Sequence, residues 1–464
     1  MDYILDSIRI INDFLWTYIL VTALIGCAIW FSFKTKFVQF RSLREMIRLL
    51  GDSTNKGTGK HISSFQAFAI SLASRVGTGN LAGVATALVV GGPGAIFWMW
   101  LISLLGASSA FVESTLAQLY KRKGKDSFVG GPAYYMENGL HKRWFGILFS
   151  VLITITFGFA FNSVQSNTIC AAFQGSFGIS PVYLGLFLTG MTLLIIFGGV
   201  QRIAKVSGLV VPFMAIGYII LAVSIVLLNI TELPGILRLI VTNAFGGQQA
   251  FGGVMGAALI QGIKRGLFSN EAGMGSAPNA AATAHVSHPV KQGLVQALGV
   301  FTDTLVICTC TAFIILFSGI NLEGGLNGVQ LTQAALIHEV GSAGGIYVSI
   351  AILLFAFSSI LGNYYYGECN IRFITQKKWV LNVFRLLVGG MVMFGSLVSL
   401  QLVWDLADIC MALMALCNLI AIILLGEKAF KLLKNYTLQK RKGIKSPIYQ
   451  KSELFADDEG IDCW

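Results

Sequence analysis

Two six-residue stretches decide the fold of this chain: Arg75-Val76-Gly77-Thr78-Gly79-Asn80 and Glu271-Ala272-Gly273-Met274-Gly275-Ser276. Each begins with a charged residue and a small apolar residue, continues with a Gly-x-Gly triplet and ends with a small polar residue. Each lies inside an apolar segment that is long enough to cross a bilayer. Because glycine costs about 1 kcal/mol relative to alanine inside a helix, both segments are predicted to break there. Irregular backbone at membrane depth persists only when protein or a polar cavity surrounds it. Two such breaks in corresponding halves indicate a transporter binding site.

The composition is that of a polytopic membrane protein. Of the 464 residues, 55% are hydrophobic and only 12% are charged, whereas a soluble domain has about twice that charged fraction. The first apolar run, 14–33, has spanning length and no small-residue cleavage site after it, so we expect a retained helix. The eight cysteines are scattered without a C-x-x-C pair and are expected to be buried apolar side chains.

The net charge is +11, and the distribution of the basic residues along the chain indicates the membrane topology. Lysine and arginine concentrate in 33–60, 120–143, 200–206, 371–378 and the tail from Lys428. Segments nearly free of both alternate with these, at 176–181, 230–249 and 319–345. This positive-inside pattern places the basic loops in the cytoplasm and gives no reason to expect a nucleic-acid partner.

Eleven apolar runs have spanning length: 13–33, 62–90, 95–119, 144–174, 181–199, 207–229, 251–284, 293–318, 346–370, 379–400 and 403–426. If successive spans cross the membrane in opposite directions, every basic loop lies on the same side. The N-terminus is then outside and the C-terminus inside. Without the first span ten remain, and the two breaks fall in the first and sixth of these. A five-helix repeat inverts the second copy, so we predict an all-α polytopic membrane protein with a 5+5 inverted-repeat core and one extra N-terminal helix.

Four regions follow from this threading. Residues 1–60 form the extra helix and a cytoplasmic loop, 61–230 the first five-helix repeat, 231–427 the second, and 428–464 a cytoplasmic tail. We expect the tail to be an amphipathic or frayed end. The outer segment 319–345 contains a helical stretch, 329–340, and forms either a surface loop or an extracellular lid.

The first break offers an anion site next to a cation site. Its glycines expose N–H groups at the start of a new helix, and such a helix start favours a carboxylate. Upstream, the half-helix that ends at 73–76 leaves carbonyl oxygens unpaired, which suits a small cation. A packing kink between close helices is the alternative, and the presence of two symmetric breaks favours the binding site.

Ionisable side chains inside spans tend to be functional or paired. In this chain they are Arg75, Glu113, Lys264, Arg265, Glu271, Asp303, Arg385, Asp405 and Asp408. Arg75 and Glu271 hold matching positions with opposite charge, and we predict that they pair across the pseudo-twofold axis and steady both broken helices. The competing interpretation is that one of them binds substrate or a proton. The basic residues at 264, 265 and 385 are expected to reach the membrane surface from helix ends.

Two polar clusters lie within other spans. Ser358 and Ser359 are adjacent in the ninth span, where serine usually bonds back to its own helix. Two hydroxyls together could instead supply oxygen ligands to Na⁺. Gln165 lies in the polar stretch 162–167 of the fourth span, where an interhelical hydrogen bond is the simpler interpretation.

Three motifs resemble the alanine or glycine:cation symporter family. The first is Gly91-Gly92-Pro93-Gly94-Ala95-Ile96-Phe97-Trp98-Met99-Trp100-Leu101-Ile102-Ser103-Leu104-Leu105-Gly106. The others are Gly130-Gly131-Pro132-Ala133-Tyr134-Tyr135-Met136 and Ser269-Asn270-Glu271-Ala272-Gly273-Met274-Gly275-Ser276-Ala277-Pro278. The likeness extends over nearly the whole chain and leaves out only the tail.

The resemblance implies a leucine-transporter-like fold and Na⁺-driven import of small neutral amino acids, alanine and glycine, by alternating access. It implies a substrate carboxylate at the first break and a pocket completed by the second break, with these substrate-binding residues: Thr78, Gly79, Asn80, Gln165, Asn270, Gly273, Met274 and Asn363. By similarity to that fold, Na⁺ is coordinated by the carbonyl oxygens of Ala73, Val76 and Phe355 and the hydroxyls of Ser358 and Ser359.

The chain departs from part of the family at Asn363, where some relatives carry tryptophan. If Asn363 reaches the pocket, the site is roomier and more polar, which argues against strict selectivity for alanine and glycine.

The sequence therefore predicts a secondary active symporter of a bacterial or archaeal inner membrane. We expect Na⁺ as the coupling ion, no other cofactor, no obligatory protein partner and no catalytic residues. Alternatives are a proton-coupled carrier that uses Glu271 or Asp303, and a carrier of a larger neutral or polar amino acid such as glutamine or serine. An ion channel is more distant because channel filters usually repeat around a symmetry axis, and an intramembrane enzyme is the least supported.

Overall fold

The computed structural model describes residues 10–52, 62–124, 127–245 and 253–464. Parts of four predicted segments, at 53–60, 125–126, 246–249 and 251–252, lie outside these ranges, as do the first nine residues. Within the described residues the chain is almost entirely helical, with one short antiparallel pair of strands, β1 (Arg122–Lys123) and β2 (Phe128–Val129).

The helices of the first half, in chain order, are α1 (Ile10–Lys34), α2 (Val38–Arg41), α3 (Leu43–Asp52), α4 (Ser64–Arg75), α5 (Gly79–Gly91), α6 (Gly94–Leu119), α7 (Pro132–Asn138), α8 (Arg143–Phe177), α9 (Pro181–Ile196) and α10 (Val200–Leu228). Those of the second half are α11 (Leu233–Ala244), α12 (Gly253–Asn270), α13 (Ala277–Ala281), α14 (Pro289–Phe317), α15 (Val329–Val340), α16 (Ala343–Ile374), α17 (Lys378–Leu397), α18 (Leu400–Arg441) and α19 (Lys451–Leu454).

Eight of the described helices are long and apolar enough to cross a membrane: α1, α6, α8, α10, α14, α16, α17 and α18. Helices α5, α9 and α11 are apolar but shorter, with 10–17 residues each. About 20 apolar residues are needed to span a bilayer unbroken. The chain is a multi-pass membrane protein, as its composition predicts.

Both glycine-rich stretches interrupt helices, as predicted. Helix α4 ends at Arg75, Val76 is extended (φ −80°, ψ 92°), and α5 begins at Gly79. In the second stretch Glu271, Gly273 and Gly275 have φ of 58°, 84° and 83°. Glycine adopts this left-handed region without the steric cost that other residues meet. The backbone path of the second break therefore requires glycine at both positions.

The start of α4 and the end of α13 meet on the same side of the helix bundle. Ser63 and Gln66 form a capping box, in which each side chain accepts the backbone N–H of the other at 3.1 and 2.9 Å. This arrangement satisfies two unpaired donors and fixes where α4 begins. Next to it, Ile62 pairs with Ala284 in a parallel bridge, and the His285 N–H donates to the Ile62 carbonyl at 3.1 Å.

Helix α6 packs closely between α12 and α14. A side chain at Gly262 would lie 2.4 Å from the Ala95 carbonyl, and one at Gly293 would lie 2.1 Å from the Thr115 hydroxyl. Small residues let membrane helices approach until their backbones touch. This packing places the middle of α6 beside the second break.

Helix α15 has the predicted bounds and covers the first interrupted helix. The Thr332 hydroxyl donates to the Leu81 carbonyl of α5 at 3.1 Å. Of the two alternatives for 319–345, this contact favours a lid over a free surface loop.

The expectation of a frayed tail is wrong. Helix α18 continues to Arg441, and the following residues fold back onto the protein. Tyr449 and Ile461 are each only 3% exposed. The tail carries aromatic and aliphatic side chains that gain from burial, and its charge pattern alone did not reveal them.

Candidate functional site

Three of the five predicted sodium ligands surround a fourth, the Ser359 hydroxyl, at the first break. The Ser359 hydroxyl of α16 lies 2.9 Å from the Ala73 carbonyl, 3.2 Å from that of Val76 and 3.1 Å from that of Phe355. The fifth, Ser358, donates to the Phe355 carbonyl at 2.8 Å. The two carbonyls of α4 are available because the helix ends there and lacks the next turn.

This cluster has more acceptors than donors. A hydroxyl carries one hydrogen, so Ser359 cannot satisfy three carbonyl oxygens at once. A hard cation prefers oxygen ligands, and the described atoms of this cluster are all carbonyl or hydroxyl oxygens. The residues present therefore fit a small monovalent cation.

The N–H groups of the first break are held by protein side chains. Gly77 N–H donates to Asn80 Oδ1 at 2.9 Å, and Thr78 N–H donates to Gln165 Oε1 at 3.0 Å. Gln165 thus reaches the break from α8, as predicted, and caps the start of α5. A side chain at Gly77 would lie 2.3 Å from the Ser359 hydroxyl, so glycine is needed for the close approach.

Asp303 of α14 ties the two interrupted helices together. Its carboxylate accepts from Asn80 Nδ2 at 2.7 Å and from the Ser269 hydroxyl at 2.7 Å. All three side chains are buried. These two hydrogen bonds hold α5 against the end of α12.

Asn270 and Met274 lie at the second break. Asn270 accepts from the Ala272 N–H at 3.0 Å and donates to the Thr304 hydroxyl of α14 at 3.1 Å. Met274 is fully buried. Asn270 therefore shapes the break itself, and its amide is engaged with protein groups.

Glu113 of α6 holds the second break in place. Its two carboxylate oxygens accept from the N–H of Gly273 at 3.2 Å, the N–H of Gly275 at 3.0 Å and Asn418 Nδ2 at 2.8 Å. Backbone N–H groups in successive left-handed turns form a concave anion site. In this protein the anion in that site is a side chain of the protein itself.

The predicted ion pair between Arg75 and Glu271 is not present among the described residues. Arg75 Nη1 donates to the Gln296 carbonyl at 3.2 Å and lies against Gly299 of α14. Glu271 accepts from the hydroxyls of Ser74 and Ser276 at 2.7 and 2.6 Å. The left-handed backbone at Glu271 directs its side chain to these hydroxyls, so matching sequence positions do not produce matching side-chain directions.

Asn363 joins the same network through Ser74. The Ser74 hydroxyl lies 2.7 Å from Glu271 Oε1 and 2.7 Å from Asn363 Oδ1, while Asn363 Nδ2 has no protein partner. Because one hydroxyl hydrogen cannot serve two acceptors, the amide orientation that satisfies both directs Nδ2 to Ser74. Asn363 then donates to Ser74, and Ser74 donates to Glu271.

Aromatic rings pack together at one end of the site. The ring of Phe268 lies with its centroid 4.4 Å from that of Phe161 and 4.6 Å from that of Trp404. Phe268 also contacts Gly79, where an added Cβ would be 3.1 Å from its ring. Trp404 also lines a neighbouring cavity.

That cavity has a volume of about 300 Å³ and a buried ion cluster. Lys264 Nζ and Arg265 Nη2 both contact Asp408 Oδ2, at 2.9 and 2.6 Å. The expectation that these bases reach the membrane surface is wrong, since Lys264 and Arg265 are 6% and 4% exposed. An acidic partner on α18 lets them stay inside. Arg385, the third such residue, donates to the Tyr364 hydroxyl at 2.9 Å.

Comparison with known protein families decides the classification. The sodium:alanine symporter family matches residues 1–451. This chain belongs to that family.

Named relatives in the sodium:alanine symporter family are transporters. A probable sodium/glutamine symporter GlnT of Bacillus subtilis is 55% identical over 100% of this chain and 97% of its own length. The amino-acid carrier protein AlsT of the same organism is 52% identical over 96% of this chain and 95% of its own. The sodium/alanine symporter AgcS of Methanococcus maripaludis is 37% identical, over 92% and 95%.

A solved structure resembles the fold of this family member. The crystal structure of MhsT in complex with L-phenylalanine matches with a TM-score of 0.54 at 13% identity, covering 82% of this chain and 99% of that one. At this identity the likeness shows the fold, which is leucine-transporter-like, and nothing more.

Two residues of the symporter site have roles that the sequence left unassigned. The sequence showed Glu113 only as a charge inside an apolar span, and it suggested for Asp303 only a proton site in the proton-coupled alternative. Nothing in the spacing of either residue along the chain indicated that both would reach the interrupted helices. The only signal was that a buried charge demands a partner.

Proposed function

We propose that this protein is a sodium-coupled symporter that imports a small neutral amino acid across the plasma membrane by alternating access. The observation that carries the proposal is the oxygen cluster around Ser359, at 2.9–3.2 Å from three carbonyls, beside an interrupted helix. Membership of the sodium:alanine symporter family supports it.

The proposed sodium ligands are the carbonyl oxygens of Ala73, Val76 and Phe355 and the hydroxyls of Ser358 and Ser359. The ion joins two elements, since the first two residues belong to the α4 end and the others to α16. Sodium bound there would therefore draw α4 and α16 together. Binding of the ion would in this way depend on the relative position of the two helices.

The amino acid would bind at the first break, with its carboxylate at residues 78–80. Its proposed contacts are Thr78, Gly79, Asn80, Gln165, Asn270, Gly273, Met274 and Asn363. Three observations support this assignment. The Thr78 hydroxyl is buried without a protein partner, and so is the Asn363 amide atom that points away from Ser74. Glu113 supplies a carboxylate to the N–H groups of the second break, whereas neutral amide oxygens accept those of Gly77 and Thr78, so the first break is the better carboxylate site.

The proposed architecture has eleven transmembrane helices, with α4–α5 and α12–α13 each counted as one. Helix α1 precedes a first repeat at 61–230, an inverted second repeat at 231–427 and a cytoplasmic tail at 428–464. The likeness to a leucine-transporter-like fold supports the inverted repeat. The basic loops support an outer N-terminus and an inner C-terminus.

Glutamine is the second candidate substrate. The 55% identical relative is named a probable sodium/glutamine symporter. Asn363 is buried, and its amide atom that points away from Ser74 has no protein partner and can form a hydrogen bond with a substrate side chain. A longer polar amino acid would use both the room and the hydrogen bond there.

Uptake into proteoliposomes tests these proposals. Purified protein is given labelled alanine, glycine or glutamine, with and without an inward sodium gradient. We expect saturable uptake of one or more of them only with sodium. Uptake that survives sodium removal and collapses with the pH gradient would contradict sodium coupling. Conductance without saturable uptake would contradict a carrier.

A further inference from the structure

The C-terminal segment 444–464 crosses the side of the bundle where the two interrupted helices meet. We call this segment the strap. Near its start, the Tyr449 N–H donates to the Ser287 carbonyl at 2.9 Å, and the Ser287 hydroxyl donates to the Pro447 carbonyl at 2.8 Å. Gln439 of α18 holds Ile448 through both of its backbone groups, at 2.7 and 3.0 Å.

The far end of the strap lies over a buried lysine. The Trp464 indole N–H donates to the Gln118 carbonyl at 2.9 Å, and its ring lies 4.4 Å from Lys121 Nζ. Lys121 in turn donates to the Ala284 carbonyl at 3.1 Å. A lysine ammonium over an indole face is attracted to the ring. Trp464 therefore covers the Lys121 ammonium, which donates to the Ala284 carbonyl.

Ala284 is part of the junction between the interrupted helices. It follows α13 and pairs with Ile62, which precedes α4. The strap contacts this junction at two places, directly at Ser287 and through Lys121 at Ala284. Movement of the end of α13 away from the bundle would break both contacts, and the start of α4 is joined to that end by the Ile62–Ala284 bridge.

The strap is anchored on helices that do not belong to the breaks. Asp458 accepts from Lys428 of α18 at 2.7 Å and from the Tyr120 hydroxyl at 2.9 Å. Although burial raises its pKa, the hydrogen bonds from Lys428 and Tyr120 hold the pKa of Asp458 below its ordinary value. Gly460 packs so closely that an added Cβ would lie 2.5 Å from the Asn138 carbonyl of α7.

We propose that the strap holds the ends of α4 and α13 together on this side, and that it must detach before the carrier opens there. This inference rests on the proposed alternating-access function. The strap as a whole joins a part that has to move with a part that remains, since it runs from α18 and α7 to the junction. Detachment of the strap therefore controls how often the transport site opens to the side of the membrane on which the C-terminal tail lies.

Two variants weaken the strap without touching the transport site. Gly460→Ala places a methyl group against the Asn138 backbone, which cannot give way as a flexible side chain would. Trp464→Ala removes the indole from Gln118 and Lys121. Ser452→Ala, an exposed strap residue with no recorded side-chain contact among the described residues, is the matched control.

The reporter is Ala67→Cys, at a fully buried position of α4 that packs beside Ile62 and Ala284. Reaction of this cysteine with a maleimide is followed by mass spectrometry of its peptide, in full-length protein in proteoliposomes. Loss of one contact typically shifts a two-state equilibrium about fivefold. We expect labelling about fivefold faster in Gly460→Ala and Trp464→Ala, and unchanged labelling in Ser452→Ala.

Sodium-driven uptake is measured on the same vesicles. Equal labelling in all variants, with intact wild-type uptake, overturns the strap while the proposed function stands. Absence of sodium-driven uptake in the wild type overturns the proposed function, and with it the strap as a control of opening.

Discussion

At the scale of single residues, the proposed cation site depends on the position of one hydroxyl. Ser359 is within 3.2 Å of three carbonyl oxygens from two different helices. Ser358, its neighbour, only bonds back to Phe355 of its own helix at 2.8 Å. Adjacent serines are therefore not equivalent, because the helix turns each side chain to a different face.

Ser359→Ala is expected to weaken sodium activation of uptake. The substitution removes the one side-chain oxygen that contacts both carbonyls of α4. We expect the sodium concentration for half-maximal uptake to rise about tenfold, which corresponds to about 1.4 kcal/mol. Ser224→Ala, whose hydroxyl bonds back to its own helix at 2.8 Å, is the control. Equal sodium dependence in both variants would refute the assignment.

Glu113→Gln is expected to destabilise the folded protein. Glu113 now accepts hydrogen bonds from the N–H groups of Gly273 and Gly275 and from Asn418 Nδ2. The NH₂ group of a glutamine would face at least one of these donors and could not accept from it. A buried donor left without an acceptor costs about 1–3 kcal/mol, so thermal unfolding in detergent should shift downward. Glu323→Gln, on an exposed loop, is the control and should not shift.

At the scale of elements, helix contacts are set by glycines at a few positions. On α17, a Cβ at Gly395 would lie 2.3 Å from the Ser163 carbonyl of α8, whereas one at Gly390 meets no atom within 4 Å. The two glycines share one helix, and only the first is required by packing.

Substitution of these two glycines by alanine should have opposite effects. Gly395→Ala forces α8 and α17 apart, and overpacking of this kind costs about 1–3 kcal/mol. Gly390→Ala adds a methyl in open space and gains up to about 1 kcal/mol of helix propensity. Thermal unfolding of both variants in detergent tests this difference. Equal destabilisation would mean that the close approach is not what Gly395 provides.

The start of α14 makes stability depend on pH. His288 accepts the Val290 N–H at 3.2 Å and lies next to Asn435, at 3.3 Å between Nε2 and Oδ1. Burial lowers the pKa of His288 from 6.5 to about 3. Between these values the unfolded chain binds a proton that the folded protein does not, so the free energy of unfolding falls as the pH falls.

His288→Asn should remove this pH dependence, since asparagine also caps a helix start. At pH 5 the wild type should have lost about 2 kcal/mol relative to neutral pH, at about 1.4 kcal/mol per pH unit. Unfolding temperatures of both proteins at pH 7.5 and 5 provide the measurement. A parallel decline in wild type and variant would show that other groups are responsible.

At the scale of the whole molecule, the two breaks have unequal chemistry. Side chains from four helices besides the interrupted ones meet them: Glu113 of α6, Gln165 of α8, Asp303 of α14 and Ser359 of α16. Glu113 supplies a carboxylate to the N–H groups of the second break. At the first break the N–H groups of Gly77 and Thr78 donate to neutral amide oxygens, those of Asn80 and Gln165. This difference supports the proposed binding of a substrate carboxylate at the first break.

The proposed topology is tested by fusions at the tail. The basic loops place the tail in the cytoplasm, so green fluorescent protein fused after residue 464 should fluoresce, and alkaline phosphatase fused there should be inactive. The opposite result would invert every loop of the proposed topology and place the strap on the outer side.

Much of the fold was predictable from the sequence because membrane helices are encoded locally. Both breaks lie where the glycine pairs predict them, and α15 has its predicted bounds of 329–340. The breaks follow from backbone chemistry at four glycines, and the spans follow from runs of apolar residues. The clustering of the predicted sodium ligands came from family resemblance, since residues 73 and 359 have no local relation.

Only the tertiary structure decided which buried charges meet. Arg75 and Glu271 match in sequence, yet their side chains bind the Gln296 carbonyl and the hydroxyls of Ser74 and Ser276. Glu113 and Asp303 gave no positional signal, yet they hold both interrupted helices. The direction of a side chain depends on helix rotation, local φ and the packing of distant segments. The sequence alone determined the membrane class, the helices and the two breaks, because each depends on neighbouring residues.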